Sequence, residues 1–330
     1  MRVFGRFLVR LLAILVLLGV GLWLFGPYEK IDLNASFEPR KFGEGVQVYF
    51  ESIESRFPDV TSGTEKRVIW QPGFKEQRTP VSLLYVHGFS ATSEEIRPVP
   101  DRIADALGAN LVYTRLQGHG LSGTELAAAS PSVWMQDVAE GLAAARAVGE
   151  RVVVISTSTG GTLIAAAALN SKMSDKVAAM IFVSPNFGVN DPLAFLMTWP
   201  AARYWVPWMM GGEHHSSSHD PDKKKYWTDP YPWSALPPMG VLVDIVAGMD
   251  FSATDIPALF WFSPGDQVVR PDITGQIAEQ WGGKAVVHTV TMGPGDDPSS
   301  HVISGDIMSP GQTEPAVKGM LQWLAGQGIE

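Results

Sequence analysis

No cysteine occurs in the 330 residues. That excludes disulfides, cysteine nucleophiles and thiolate metal sites, and it leaves the redox compartment open. Positive charge is scarce: 25 Lys and Arg stand against 34 Asp and Glu, for a net charge of −9. Arg2, Arg6 and Arg10 lie in the first 26 residues, which hold no acid, so removing these three charges leaves −12 on the rest. So acidic a body is a poor phosphate binder and argues against nucleic acid as a partner. Internal repeats and low-complexity tracts are also missing. Apolar residues are abundant, at 45% hydrophobic and 10% aromatic. That suffices for a large core, in one large domain or two small ones.

The N-terminal stretch FLVRLLAILVLLGVGLWLFG, Phe7 to Gly26, has no charge after Arg10. A spanning helix needs roughly 20 apolar residues. Phe7 to Val9 make up that length if Arg10 snorkels to the headgroups. A cleaved signal peptide is the rival. Its small-x-small cleavage site is missing where Trp23, Leu24, Phe25, Pro27 and Tyr28 stand. Residues 1–26 therefore read as an uncleaved single-pass anchor. The leading arginines predict the N-terminus inside and the body outside the cytoplasm, the periplasmic side in a double-membrane bacterium. Residues 27–66 read as a connecting segment. Within it GEGVQVYFESIESRF predicts a short amphipathic helix packing on the body, with Val46, Tyr49, Phe50, Ile53 and Phe57 on one side.

From Arg67 onward, strands and helices alternate. RVIW, VSLLYVHGF, NLVYTRL, RVVVIS, VAAMIFVSP, PALFWFSP and AVVHTVTM read as strands. Helices are expected from about Pro100 to Gly108, from Pro131 behind a Ser130 cap with Gly149 just past the end, and in GGTLIAAAALN, ITGQIAEQWGG and EPAVKGMLQWLAG. Near-continuous apolar strands between helices imply a mostly parallel sheet covered on both faces. Residues 187–256 break this rhythm with Trp199, Trp205, Trp208, Trp227 and Trp233, several prolines and DPDKKK. An insertion of this length between two strands often acts as a lid.

The stretch VVVISTSTGG, Val152 to Gly161, drives a buried strand straight into hydroxyls and glycines. It is either a plain polar turn or a turn that lifts out a serine as nucleophile. Such an elbow is strained at the serine and needs small residues two before and two after it. With Ser158 as nucleophile these are Ser156 and Gly160. With Ser156 they are Val154 and Ser158, and a β-branched valine fits poorly. Ser158 is the better candidate. Upstream, His87-Gly88-Phe89 ends a strand, where glycine lets the Phe89 N–H point into a site. With the Thr159 N–H it would make an oxyanion hole. His87 itself reads as a structural histidine tying loops together.

A serine hydroxyl needs a base, and the base needs a carboxylate to fix its tautomer. Asp266 follows one predicted strand and His301 the last. Strand-end loops of a parallel sheet are where sites gather. Asp272, Asp296 and Asp297 are rival acids, although Asp272 at a helix start is explained by the helix dipole. His288 is a rival base, placed mid-strand.

LLYVHGFSAT, TRLQGHGLSG, VVVISTSTGG, SPGDQVV and the SSHV histidine together resemble the α/β-hydrolase fold, in its bacterial carboxylesterase and monoacylglycerol-lipase-like branch. The resemblance covers about residues 67–330. It implies Ser158 as nucleophile, His301 as base and Asp266 as its partner. It also implies Phe89 and Thr159 as oxyanion donors, and a helical cap between strands ending near Val183 and starting near Pro257. Ser156 departs from the usual glycine.

The expected activity is cleavage of a carboxylic ester through an acyl-enzyme, with a small-molecule ester or lipid as substrate and neither cofactor nor metal. The aromatic insertion, with Trp205 and Trp208 as substrate-binding candidates, favours an apolar acyl chain. An acyltransferase would share every residue named, and a membrane-anchored binding module without chemistry is the other alternative. A dehalogenase would need a carboxylate in place of Ser158. His119 in QGHG reads as a loop histidine bonded to backbone. His214, His215, His219, Asp220 and Asp222 are close in sequence, but the serines and proline among them point to a loop rather than a metal site.

Overall fold

The computed structural model describes residues 2–216 and 220–330. A helix α1 (Arg2–Phe25) projects from the body. Its segment Phe4–Phe25 is long and apolar enough to cross a membrane and is not buried against protein. The next element is α2 (Val46–Glu54), followed by β1 (Arg67–Ile69), β2 (Thr79–Val86), α3 (Val99–Ala106), β3 (Asn110–Tyr113), α4 (Gly123–Ala128), α5 (Pro131–Val148), β4 (Gly149–Thr157), α6 (Thr159–Ala168) and β5 (Val177–Val183). The insertion then supplies α7 (Ala202–Met210), a two-stranded ribbon of β6 (Glu213–His214) and β7 (Tyr231–Pro232) with α8 (Pro221–Tyr226) between them, and α9 (Leu236–Ala247). The body resumes with β8 (Ala258–Phe262), α10 (Pro271–Gln280), β9 (Ala285–Thr289) and α11 (Pro310–Ala325).

The seven-stranded sheet has the order β1-β3-β2-β4-β5-β8-β9. All neighbours are parallel except β1 and β3. Successive side chains of a strand point to opposite faces, so each central strand feeds two cores. Leu84, Val86, Val152, Val154, Phe182 and Phe260 pack on one side with α2, α5, α6, α9 and α10. Leu83, Tyr85, Val153, Ile155, Ile181 and Trp261 pack on the other with α3 and α11.

The segment ahead of β1 is more than a connector. Phe42, Val46 and Phe50 are buried in the first core, and Tyr49 Oη donates to Glu140 at 2.9 Å. Phe57, expected on the packed side, lies beyond the end of α2 and is 40% exposed. Three ion pairs, made by two buried cations, fasten this segment to the body. Arg115 meets Glu54 at 2.9 Å, and Lys66 meets Asp137 at 2.7 Å and Glu140 at 2.6 Å. The Ser130 cap accepts from Val133 N, with Pro131 opening α5 as expected. α4 is an addition to the expected helices, and a Ser122–Glu125 capping box starts it.

Candidate active site

β4 ends at Thr157, and the chain reverses into α6 within one residue. Ser158 makes that turn with φ 51° and ψ −121°, a strained backbone for a residue with a Cβ. Backbone bonds hold it. Ser158 N donates to Val183 O at 3.0 Å, and Ser158 O accepts from Gly161 N at 2.9 Å and Asn186 N at 3.0 Å. A Cβ at Gly160 would lie 2.4 Å from Val86 O and 2.5 Å from His87 O, so no side chain is possible there. Ser156 occupies the other tight position because its hydroxyl turns into the sheet and donates to Ile181 O at 3.3 Å. That leaves Ser156 fully buried, while Ser158 lines a cavity.

His301 reaches the same point from the loop after β9. Its Nε2 lies 3.1 Å from Ser158 Oγ, and its Nδ1 lies 2.8 Å from Asp266 Oδ2. A carboxylate only accepts, so Nδ1 carries the proton and Nε2 is left to take one from the serine. Burial lowers the His301 pKa, but the hydrogen bond and charge of Asp266 outweigh it, aided by Glu95 and Asp297, and the net direction is upward. The other oxygen of Asp266 accepts from Val268 N at 2.8 Å and Val269 N at 2.9 Å.

The rival carboxylates are engaged elsewhere. Asp272 pairs with Arg270 at the surface. Asp296 accepts from Gly293 N and Gly311 N. Asp297 is buried and accepts from the backbone N–H groups of His301 at 3.1 Å and Val302 at 2.9 Å, holding the loop rather than the ring. Burial raises the Asp297 pKa, but these bonds and those from Ser299 outweigh it, and the net shift is downward. His288 stacks on Trp261 in the sheet, ring centroids 3.7 Å apart.

Phe89 and Thr159 line the cavity beside Ser158, and among the described residues no protein group accepts from either N–H. The peptide between Gly88 and Phe89 is clamped. Leu116 N donates to His87 Nε2 at 3.1 Å, so Nδ1 carries the ring proton and donates to Gly88 O at 2.8 Å. Burial pushes the His87 pKa down to about 4 and keeps the ring neutral. On the other side Gly88 N donates to Glu95 Oε2 at 2.8 Å, which also accepts from Tyr85 Oη at 3.0 Å. A Cβ on Gly88 would lie 2.7 Å from Glu95 Oε1 and 3.0 Å from Ser158 Cβ. Glu95 is 2% exposed, and burial pushes its pKa up to about 7. Sequence reasoning missed it, because the adjacent acids in TSEEIR look like a solvated turn.

The cavity encloses about 420 Å³. Phe89, Met197, Trp205, Val206, Leu236 and Met239 supply much of its apolar wall. Thr159 Oγ1, Asn186 Oδ1, His214 Nδ1 and Trp233 Nε1 belong to lining residues, are buried and have no protein partner among the described residues. Of the two tryptophan candidates Trp205 lines the cavity and Trp208 does not. Trp208 is 85% exposed, because it stands about 200° around the helix from Val206, which faces the cavity. His119 packs behind Phe89 with Nδ1 against Gln117 O, a buried loop histidine whose pKa burial and His87 lower. His214 stacks on Tyr231 and His215 lies 4.0 Å from Glu213. His219 is outside the described residues, among which no group of three potential metal ligands occurs.

The sheet order, the elbow after β4 and the cap between β5 and β8 are those of the α/β-hydrolase fold. Solved structures agree. One reported for the metagenome-derived lipolytic enzymes LipS and LipT superposes with a TM-score of 0.65 at 18% identity, covering 81% of this chain and 99% of that one. A soluble variant of monoglyceride lipase from Saccharomyces cerevisiae gives 0.56 at 12% identity, covering 81% and 93%. In sequence, a thermostable monoacylglycerol lipase from Bacillus sp. (strain H-257) is 32% identical over 111 residues, which are 34% of this chain and 41% of that protein. The chain thus matches less than half the length of that relative. The family model described as serine aminopeptidase, S33 (Hydrolase_4) matches residues 78–292, and the chain belongs to that family of α/β-hydrolases.

Proposed function

We propose that the chain is a membrane-anchored serine hydrolase that cleaves carboxylic esters of apolar acyl groups. The carrying observation is the unbroken relay Ser158–His301–Asp266, at 3.1 and 2.8 Å, at the wall of a largely apolar cavity. In this reading His301 Nε2 takes the Ser158 proton as Oγ attacks the ester carbonyl, and Asp266 stabilises the imidazolium. The Phe89 and Thr159 N–H groups receive the oxyanion, each such donor being worth about 10²–10³ in rate. His301 passes the proton to the leaving alkoxide. It then activates a water that releases the acid from Ser158.

The family description names an aminopeptidase. A free substrate amine needs an available carboxylate, and those around the nucleophile are committed, while Asp191 and Asp229 on the cap wall accept from the backbone N–H groups of Leu193 and Ser216. Asp266 and Asp297 are bonded to His301 and backbone, and Glu95 is held toward its neutral form. The unpartnered Trp233 N–H and Asn186 carbonyl suit a neutral polar alcohol portion. The reading assigns residues 1–26 to the anchor, 27–66 to a connecting segment and 67–330 to the catalytic domain, with the cap at about 187–256. The arginines ahead of the span support an orientation with that domain outside the cytoplasm.

A fluorophosphonate probe should label the wild type at Ser158. An ester series of varied chain length should be hydrolysed by the wild type and not by Ser158→Ala. Labelling at Ser156, or turnover of an aminoacyl amide in preference to every ester, would refute the assignment. A mature N-terminus near residue 27 would refute the anchor, and a reporter fused at residue 330 that works only in the cytoplasm would refute the orientation.

A further inference from the structure

Helix α7 is apolar on both sides. Trp205, Val206, Met209 and Met210 line the cavity. On the other side, one turn apart, Tyr204 and Trp208 are 74% and 85% exposed. A surface helix normally turns a polar face to water. Leu193, Phe195 and Trp199, in the segment just ahead of α7, are also exposed, with Trp199 packed edge to face on Phe195 and Trp205. Leu193, Met209 and Met210 belong both to this patch and to the cavity lining, so the cavity opens within the patch. So many exposed large apolar side chains on one helix and the segment before it mark an interaction site.

What occupies it follows from α1. The last turn of the apolar helix packs onto the cap, where the Trp23 ring meets Trp199 edge to face with centroids 5.8 Å apart. Just beyond, Ala201 N donates to Pro27 O at 2.7 Å, and Arg203 pairs with Glu29 at 2.5 Å. Arg203 also donates to Ala127 O and Ala129 O, which fixes this clasp to the body. The point where the span leaves the hydrocarbon is therefore tied to the N-terminal end of α7.

We propose that the exposed face of α7, with Tyr204 and Trp208 at its centre, sits in the interface of the same bilayer that α1 spans, so that the cavity mouth opens onto lipid. The clasp of residues 23–29 on 199–203 sets this orientation. Trp and Tyr are the side chains that settle at headgroup level, and the flanking Leu, Phe and Met reach the acyl boundary. An acyl chain then passes from bilayer to cavity without crossing water. This proposal rests on the anchor and esterase readings above.

The cysteine-free chain gives a clean test, since one introduced cysteine is a unique label site. The full chain is reconstituted in phosphatidylcholine vesicles with a nitroxide on Trp208→Cys, or on Val287→Cys, an exposed apolar position of β9. The label at 208 should collide more with dissolved oxygen than with a water-soluble nickel chelate, and the label at 287 should do the reverse. In the kinetic arm, Tyr204→Ser with Trp208→Ser should lower hydrolysis of a long-chain ester in the vesicles about tenfold, and leave a soluble short-chain ester within about twofold. A label at 208 as open to nickel as that at 287, or equal losses on both esters, would overturn the proposal. If Ser158→Ala still hydrolyses ester, the esterase reading fails while the labels still judge the docking. If residues 1–26 are missing from the mature chain, anchor and docking fall together.

Discussion

The sheet rim and the cap close over one cavity, yet opposite kinds of contact hold them. On the rim, Ser158, Glu95, Asp266, Asp297 and His301 are joined to one another or to backbone by bonds of 2.8–3.1 Å. On the cap side the wall is mostly side-chain packing, and among the described residues the buried His214 Nδ1 and Trp233 Nε1 have no partner, as is also true of Thr159 Oγ1 and Asn186 Oδ1 at the rim. A polar network bonded through its charged groups has one low-energy arrangement, because each displaced group forfeits its bond in a dry site. An apolar wall has many near-equal arrangements. The rim thus fixes what chemistry is done and the cap fixes what fits, and the two should respond differently to substitution.

The largest effects are expected on the rim. Ser158→Ala and His301→Ala should each lower kcat by roughly 10⁶, with the double variant little worse, because the residues act as a unit. Asp266→Asn should cost about 10⁴ by favouring the wrong tautomer. Asp297→Asn should cost far less, since Asp297 meets the His301 backbone and not its ring. Equal losses at Asp266 and Asp297 in steady-state kinetics would break the distinction between ring and loop.

Glu95 sharpens the comparison through pH. Its folded pKa, raised by burial to about 7, exceeds its ordinary carboxylate value. Between the two values the unfolded chain has lost a proton that the folded chain keeps, so this group's contribution makes stability fall as pH rises through that window and level off above it. Once ionised, Glu95 places negative charge behind Gly88, next to the Phe89 donor, where it opposes the developing oxyanion. The imidazolium already has Asp266. Wild-type kcat/KM should therefore decline above pH of about 7, and Glu95→Gln, which still accepts from Gly88 N–H, should remove that decline. An alkaline limb unchanged in Glu95→Gln would show that the group does not titrate there. Asp297 runs the other way. Its depressed pKa gives stability that is present above the ordinary carboxylate value and is lost as pH falls through the folded value. Acid unfolding of Asp297→Asn should lack that component.

Much of the rim was legible in the sequence, because strand period, turn chemistry and residue order each constrain it. The sheet strands, the Ser130 cap and Ser158 follow from such local signals, and the choice of Asp266 as partner of His301 follows from the resemblance they carry. Glu95 could not be read, since an acid in a polar turn looks solvated until the fold buries it against Tyr85 and Gly88. α4 carried a readable signal, the S-x-x-E of Ser122 and Glu125, but it is barely two turns long. The packing role of residues before β1 rests on the non-local pairs Glu54–Arg115 and Lys66–Asp137, which no spacing rule reveals. On the cap, composition announced an apolar helix but not its phase. ARYWVPWMM has no polar stripe to say which side faces inward, and Trp208 was therefore misplaced.

That ambiguity gives the smallest and most discriminating expectation. Trp205 lines the cavity and is positioned by its Nε1 bond to Pro200 O at 3.0 Å. Trp205→Ala enlarges the acyl space and should shift preference toward longer or bulkier chains by a few-fold, since one methylene in an apolar pocket is worth about 1–3 kcal/mol at most. Probe labelling of Ser158 should survive the change, because rim bonds do not pass through α7. Removing a large aromatic can also cost about 3–5 kcal/mol of stability, so thermal melts must accompany the kinetics and activity be compared well below Tm. Trp208→Ala, by contrast, should leave the chain-length profile on soluble esters unchanged, because its ring stands outside the wall. If both variants shift that profile equally, the two faces of α7 are not distinct and the cap acts as one flexible sheath. If neither does, acyl preference belongs to the rim side of the cavity, around Phe89 and Val302.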